Sequence, residues 1–291
     1  DLKGKHDTRT TAVSQGSSRI LNEVGIWSML KKNAQQINKI IVSEGESADL
    51  RFDHKNLTEG PLGFIIENKD FKKILIEKVK KESRISFFEN EEITEINNTD
   101  AESNVLRTNN LKIKYKILIA ADGRFSKIRF LADIKYYFHD YGQNAFVFNI
   151  SHEEPHLGVA LERFFPSGPL AVLPVKDSSI NQSSVVWTVD SKISETQEFK
   201  ENFQDEFKKK YSNFFGKLKK ISNIQKYPLN VFSCYDYFNK NVILIGDACQ
   251  AVHPIAGQGF NLGLRDALYL SKLISDYSEN GLQISSKHLL E

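Results

Sequence analysis

The chain has 291 residues, a formal net charge of +2 and an apolar share of 40%, enough for one large domain or two interlocked ones. Acidic and basic residues are mixed along it, so no basic excess points to nucleic acid. Two cysteines, Cys234 and Cys249, are too few for a disulfide framework or a metal site of their own, and no apolar run approaches the roughly 18 residues of a membrane span.

Residues 13–30, VSQGSSRILNEVGIWSML, predict a helix. Ile20, Leu21, Val24, Trp27 and Leu30 recur at threes and fours, and Ser14 is placed to cap it. Short alternating runs follow as strands: INKIIVS, ADLRF and LGFIIE. Residues 68–81 predict a second helix with Phe71, Leu75 and Val79 spaced by four. RISFF, EEITEIN, SNVLRT and LKIKYKILIAADG read as strands, the last running into Asp122-Gly123. From 141 to 189 the alternation in NAFVFNIS, GVALERFF, PLAVLPV and SSVVWTV predicts a multi-strand antiparallel sheet. Residues 192–220 predict a charged helical region with Phe199, Phe203, Phe207 and Phe214 on one side. YPLNVF is a further strand. NVILIGDA is a short continuous apolar run of the kind buried on both faces of a parallel sheet. Residues 257–277 predict a helix with Leu264, Leu268 and Ile274 inward. A β-rich middle between strand–helix units implies an α/β domain split in sequence, with an antiparallel domain inserted.

The strongest constellation is GDACQAVHPIAGQGFNLGLRD, residues 246–266. Gly246 and Asp247 sit where the apolar strand ends, and open α/β sheets bind ligands outside the carboxyl ends of their strands. A carboxylate there can accept hydrogen bonds from a sugar-alcohol hydroxyl. Pro254 fixes the chain, and Gly257 and Gly259 let backbone approach a ligand face. A helix starting there offers N–H groups and a positive dipole end. The glycines run GxGxxxG, not the GxGxxG of a dinucleotide turn, and helix-packing glycines are the alternative reading.

This segment resembles the GD motif of flavin-dependent aromatic hydroxylases of the p-hydroxybenzoate hydroxylase type, in the branch that hydroxylates polyprenyl-phenol rings in ubiquinone biosynthesis. The resemblance implies that Asp247, after Gly246, holds a ribityl hydroxyl of FAD. It implies that residues 254–261, with Pro254, Gly257, Gly259, Phe260 and Asn261, lie along the isoalloxazine ring. One departure is Gln250, where the family usually has a titratable His. KILIAADGRFSKIR, residues 116–129, resembles the family's DG motif, with Asp122 and Gly123 near the FAD pyrophosphate and the nicotinamide route. Arg124 and Arg129 are there to balance phosphate charge. Arg9 matches an Arg that reaches FAD, and Asn68 a polar flavin contact at a helix start. The stretch 141–174, with its PH.G.A.ERF.P.GPLA.LP pattern, resembles the substrate sheet of the ubiquinone branch. His156 and His253 are left unassigned, and no residue is named as catalytic.

The fold implied is α/β: an FAD-binding domain interleaved with an antiparallel β-sheet substrate domain. The first is expected over 1–50, 68–130 and 233–291, the second over 51–67 and 131–232. No GxGxxG occurs, so the family's N-terminal βαβ unit is not in this sequence, and truncation at both ends is expected. The activity implied is hydroxylation of a polyprenyl-phenol ring with FAD, NAD(P)H and dioxygen, and no metal. A cytoplasmic enzyme is expected, with peripheral contact at the inner face of the membrane and a place in a ubiquinone-biosynthesis complex. Two alternatives stay open: an FAD-dependent epoxidase or reductase acting on isoprenoids, and a non-catalytic subunit of such a complex.

Overall fold

The computed structural model describes residues 9–44, 49–57, 60–98, 104–176 and 181–284. Ala48 and Ser103, at the starts of two expected strands, lie outside them. The chain divides into two compact units. The first is Asp1–Lys81, Asp140–Leu229 and Ile255–Gly257; the second is Glu82–His139, Asn230–Pro254 and Gln258–Glu291. Residues 9–44 and 68–81 group with the antiparallel sheet and not with 82–130, since strands Thr10–Ser14, Gln35–Ile37 and Lys39–Glu44 all pair inside the first unit.

In the first unit the alternating runs form the expected sheet. Tyr136–His152, from residue 140 onward, pairs with Gln182–Asp190, which pairs with Gly168–Pro174, and that with Val159–Phe165, all antiparallel. Lys39–Glu44 then adds in parallel to Val159–Phe165, and Leu50–Asp53 closes the edge. One face carries Phe146, Phe148, Leu161, Leu170, Val185 and Trp187. Helix Gln197–Tyr211 covers it with Phe199, Phe203, Phe207 and Tyr211, one apolar residue per turn. Burying each such aromatic contributes about 2–3 kcal/mol before entropy. Thr196 caps this helix by accepting from the Phe199 N–H at 3.2 Å, and Lys208, Lys209 and Lys210 complement its carboxyl end.

The helix ends earlier than its phenylalanine spacing predicts. Ser212 and Asn213 take left-handed backbone, at φ 53° and 52°, so Phe214 lies beyond the helix and Phe215 is the residue buried. A smaller antiparallel sheet joins Thr10–Ser14, Gly63–Glu67 and Gln35–Ile37. Helix Asn68–Lys81 forms as predicted.

The helix expected over 13–30 is a strand end followed by two helices. Val13 and Ser14 finish Thr10–Ser14, and Gln15–Glu23 is the first helix. Gly25, at φ 70°, then turns the chain. Its N–H donates to Asn22 O and the Ile26 N–H to Leu21 O, a Schellman stop that apolar spacing alone does not announce. Ser14 is the cap, accepting from the Ser17 N–H at 3.1 Å. Ser14→Ala should cost about 1 kcal/mol in denaturant midpoint measurements without changing the fold.

The second unit has a parallel pair at its centre. Leu118–Ala120 and Val242–Leu244 run side by side, with Phe238–Asn239 antiparallel on the far edge. Val242, Ile243 and Leu244 are all buried, as the unbroken apolar run requires. A separate three-stranded sheet joins Ile93–Asn97, Val105–Thr108 and Lys112–Lys114. RISFF forms no strand, and Ile85 and Phe88 stay exposed. Helix Gln258–Glu279 completes the unit; Asn261 is its buried residue, while Leu264, Leu268 and Ile274 are only half-buried.

Candidate cofactor site

Both predicted motifs leave neighbouring parallel strands at the same end. Leu244 is level with Ala120, and the Ile245 N–H donates to Ala120 O at 3.0 Å. The DG turn therefore opens beside the GD turn, at the carboxyl ends where α/β sheets place ligands.

The GD turn is held from three sides. Gly246 adopts φ 58°, a left-handed conformation suited to glycine. Its N–H donates to Asp266 Oδ2 at 3.0 Å, which ties the turn to helix Gln258–Glu279. Its Cα packs against that helix at Gly263, where an added Cβ would lie 3.1 Å from the Gly246 Cα. Gly263, the last glycine of GxGxxxG, is thus a packing glycine. Asp266 was not singled out by the sequence. Its only signal is position, one helical turn after Gly263 on the same face.

Asp247 is exposed and accepts no hydrogen bond from the described residues. Packing around its carboxyl raises its pKa, and the Arg124 charge works against that shift. Its Oδ1 lies 3.9 Å from where a Gly259 side chain would begin, so it stands beside the first turn of Gln258–Glu279. Pro254, Phe260 and Asn261 belong to the same segment; Asn261 is 2% exposed and Phe260 half-buried. Gln250 is fixed in a two-residue strand opposite Ser233.

In the DG turn Gly123 has φ 84° with open space where a side chain would stand. Asp122 accepts from the Ile128 N–H at 3.2 Å, and Ser126 caps the short helix Lys127–Leu131 by accepting from the Arg129 N–H. Arg129 is not available for phosphate. It is 7% exposed, and its guanidinium donates to Ala248 O at 2.7 Å and Arg124 O at 2.9 Å. It also lies over the Tyr136 and Phe232 rings, 4.7 Å from each centroid. Its charge joins the two motif loops to each other. Burial, helped by the Asp266 carboxylate, pushes the Cys249 thiol up to about 12, which makes it a packing residue.

In the first unit, Arg9 and Asn68 come together from 59 positions apart in sequence because Thr10 pairs with Glu67. The Asn68 N–H donates to Arg9 O at 3.0 Å and its Oδ1 accepts from Thr11 Oγ1 at 2.6 Å. The Arg9 guanidinium lies 5.8 Å from the Tyr227 ring centroid. Gly257, at φ 60°, packs on Ala12, where a Cβ would come within 2.8 Å of the Ala12 Cβ. His156 is structural: Nε2 meets Val175 O at 3.1 Å, and Nδ1 accepts from the Gly158 N–H at 3.0 Å.

The family model described as FAD binding domain matches residues 3–283. The chain belongs to that family. FAD is its cofactor, and the second unit fits one: an exposed carboxylate at a strand end that accepts no hydrogen bond among the described residues, a bare glycine turn beside it, and the start of a 22-residue helix. Among relatives of this FAD binding domain chain, the ubiquinone hydroxylase UbiL of Rhodospirillum rubrum is 28% identical, covering 99% of this chain and 67% of that protein. The ubiquinone hydroxylase UbiM of Neisseria meningitidis is 30% identical, covering 98% of this chain and 63% of that protein. The chain thus spans about two thirds of the length of these relatives. The crystal structure of p-nitrophenol 4-monooxygenase PnpA from Pseudomonas putida shares the fold, with a TM-score of 0.81 at 18% identity over 97% of this chain and 73% of that one. Among the described residues no helix is long and apolar enough to cross a membrane.

Proposed function

We propose that this protein is an FAD-dependent monooxygenase that hydroxylates the aromatic ring of a polyprenyl-phenol on the route to ubiquinone, with NAD(P)H and dioxygen as co-substrates. The observation that carries the reading is Asp247. Among the described residues no hydrogen bond to its carboxylate is seen, and it stands at the end of a buried parallel strand, beside a helix start and within reach of the Arg124 charge. The printed names of the relatives supply the substrate class.

When bound, FAD supplies the redox and oxygen chemistry. The chain's residues bind and orient. Asp247 accepts hydrogen bonds from ribityl hydroxyls. Pro254, Gly259, Phe260 and Asn261 form the segment along the flavin ring, where the helix dipole favours negative charge. Asp122 and Gly123 border the pyrophosphate, and Gly246 shapes the turn that presents Asp247. A tailed phenol is a membrane lipid, so the enzyme takes its substrate at a bilayer surface and works beside the other enzymes of the route.

Asp247→Ala in the full-length protein should lose FAD retention about 100-fold, the worth of a charge-assisted hydrogen-bond pair at about 2.7 kcal/mol. Equilibrium dialysis or the yellow absorbance of purified protein reads this out. Retention equal to wild type would remove Asp247 from the site. A wild-type protein that stays colourless with FAD would sink the whole reading.

A further inference from the structure

Where the aromatic helix of the first unit lies over the large sheet, the two leave a cavity of about 410 Å³ between them. Its floor is the end of strand Gln182–Asp190, where Trp187 and Val189 pack toward the helix. Phe199 of the helix and Ile193 of the short turn before it form one wall. The Pro166–Ser167 turn, which joins strands Val159–Phe165 and Gly168–Pro174, borders it on another side. Every lining residue belongs to the first unit, and none belongs to the GD or DG motif. The volume suits a ligand of about one ring with small substituents.

The cavity has donors left over and acceptors already in use. Trp187 is 1% exposed, and no acceptor among the described residues meets its indole Nε1–H. A buried indole N–H normally has one, because it has given up water. Lys210 also lines the cavity, with its ammonium 4.1 Å from the centroid of the Phe165 ring. Beside it Arg163 donates to Lys210 O at 2.6 Å. Among the described residues no carboxylate lies within ion-pair distance of either cation. Burial lowers the Lys210 pKa; the Glu206 charge opposes that shift, and Arg163 adds to it. The two carboxylates of the lining are engaged elsewhere. Glu206 pairs with Lys209 at 2.8 Å, and Asp190 Oδ1 accepts from the Lys192 N–H at 2.7 Å.

We propose that this cavity binds a small organic acid, a ring-sized apolar body carrying one carboxylate. The body packs against Trp187, Phe199 and Ile193. The carboxylate accepts from the Trp187 indole N–H and takes Lys210 as its counter-charge. One negative charge is the limit, since Asp190 and Glu206 repel a second. Apolar contact supplies the affinity and the two donors fix the orientation. A ligand held between helix and sheet stabilises the first unit by mass action. The proposal stands apart from the activity proposed above and does not depend on it.

Benzoate is the probe, titrated into the full-length, FAD-loaded protein while the indole N–H resonance of Trp187 is followed by NMR. Trp187→Phe identifies that resonance by its loss. Benzoate should move it downfield along a saturable curve. Benzyl alcohol, with the same ring and no charge, should bind roughly tenfold more weakly. Lys210→Met should weaken benzoate about tenfold and leave FAD retention at the wild-type level. Benzoate should also raise the melting midpoint of wild type more than that of Lys210→Met at equal concentration. A Trp187 resonance that stays in place as benzoate rises would overturn the site, even if calorimetry detects benzoate bound elsewhere. Equal affinities for benzoate and benzyl alcohol, or for benzoate in wild type and Lys210→Met, would overturn the assignment of an acid as the ligand.

Discussion

Arg129→Met should be the most damaging single change in the second unit, costing about 3–4 kcal/mol and lowering the melting midpoint by roughly 6–12 °C. The side chain is 7% exposed and donates to Ala248 O and Arg124 O, carbonyls of the GD and DG loops. Methionine fills much of the volume but donates nothing. Two carbonyls then lose their charge-assisted partner inside the protein, each at about 1–3 kcal/mol if no water reaches it. The rings of Tyr136 and Phe232 also lose a cation held 4.7 Å from their centroids, worth about another 1 kcal/mol. Calorimetry on the full-length protein with and without FAD separates two outcomes. A loss of stability in both forms fits the structural role. A loss confined to the FAD-bound form would mean that Arg129 acts on the cofactor's phosphates after all.

Gly263→Val should cost about 3 kcal/mol and weaken FAD retention, whereas Gly263→Ala should be close to neutral. At this position the helix approaches the GD turn so closely that a Cβ would sit 3.1 Å from the Gly246 Cα. Alanine needs the turn to give by a few tenths of an ångström, and it regains about 1 kcal/mol of helix propensity in compensation. Valine adds two methyl groups to a Cβ that is already tight, and overpacking of this kind costs about 1–3 kcal/mol or more. The helix is then pushed off Gly246, and the Asp266 acceptor moves away from the Gly246 N–H, now 3.0 Å distant. Urea midpoints for the two variants measure the difference. Equal costs for Ala and Val would show that the contact is not tight.

Much of this was legible in one dimension because it depends on local chemistry. The run VIL before Gly246 is a buried parallel strand because no position in it can face water. Helix Asn68–Lys81 follows its apolar spacing to the residue. The large antiparallel sheet follows strict alternation, since period two leaves each side chain only one face to choose. Apolar spacing does not reveal the helix break at Gly25, because Leu21, Val24 and Trp27 keep their spacing across it; only the backbone hydrogen bonds show the stop. RISFF has the composition of a strand and is none, because pairing depends on where other strands lie and not on composition.

Residue types and spacing by themselves determined an α/β chain with an antiparallel sheet, and that Asp247 follows a buried strand into a glycine turn; the flavin entered only through the resemblance of that segment to a family motif. Tertiary structure decided what each charged group near that turn is for. Arg129 could have met a phosphate or a carbonyl, and only the approach of Ala248 O from 119 residues away settles it. Gly263 could have served a ligand or a helix contact, and only the Gly246 Cα beside it tells which. Sequence fixes which groups are present; the cost or gain of a charge depends on the partners and the water around it, and folding places those from distant parts of the chain.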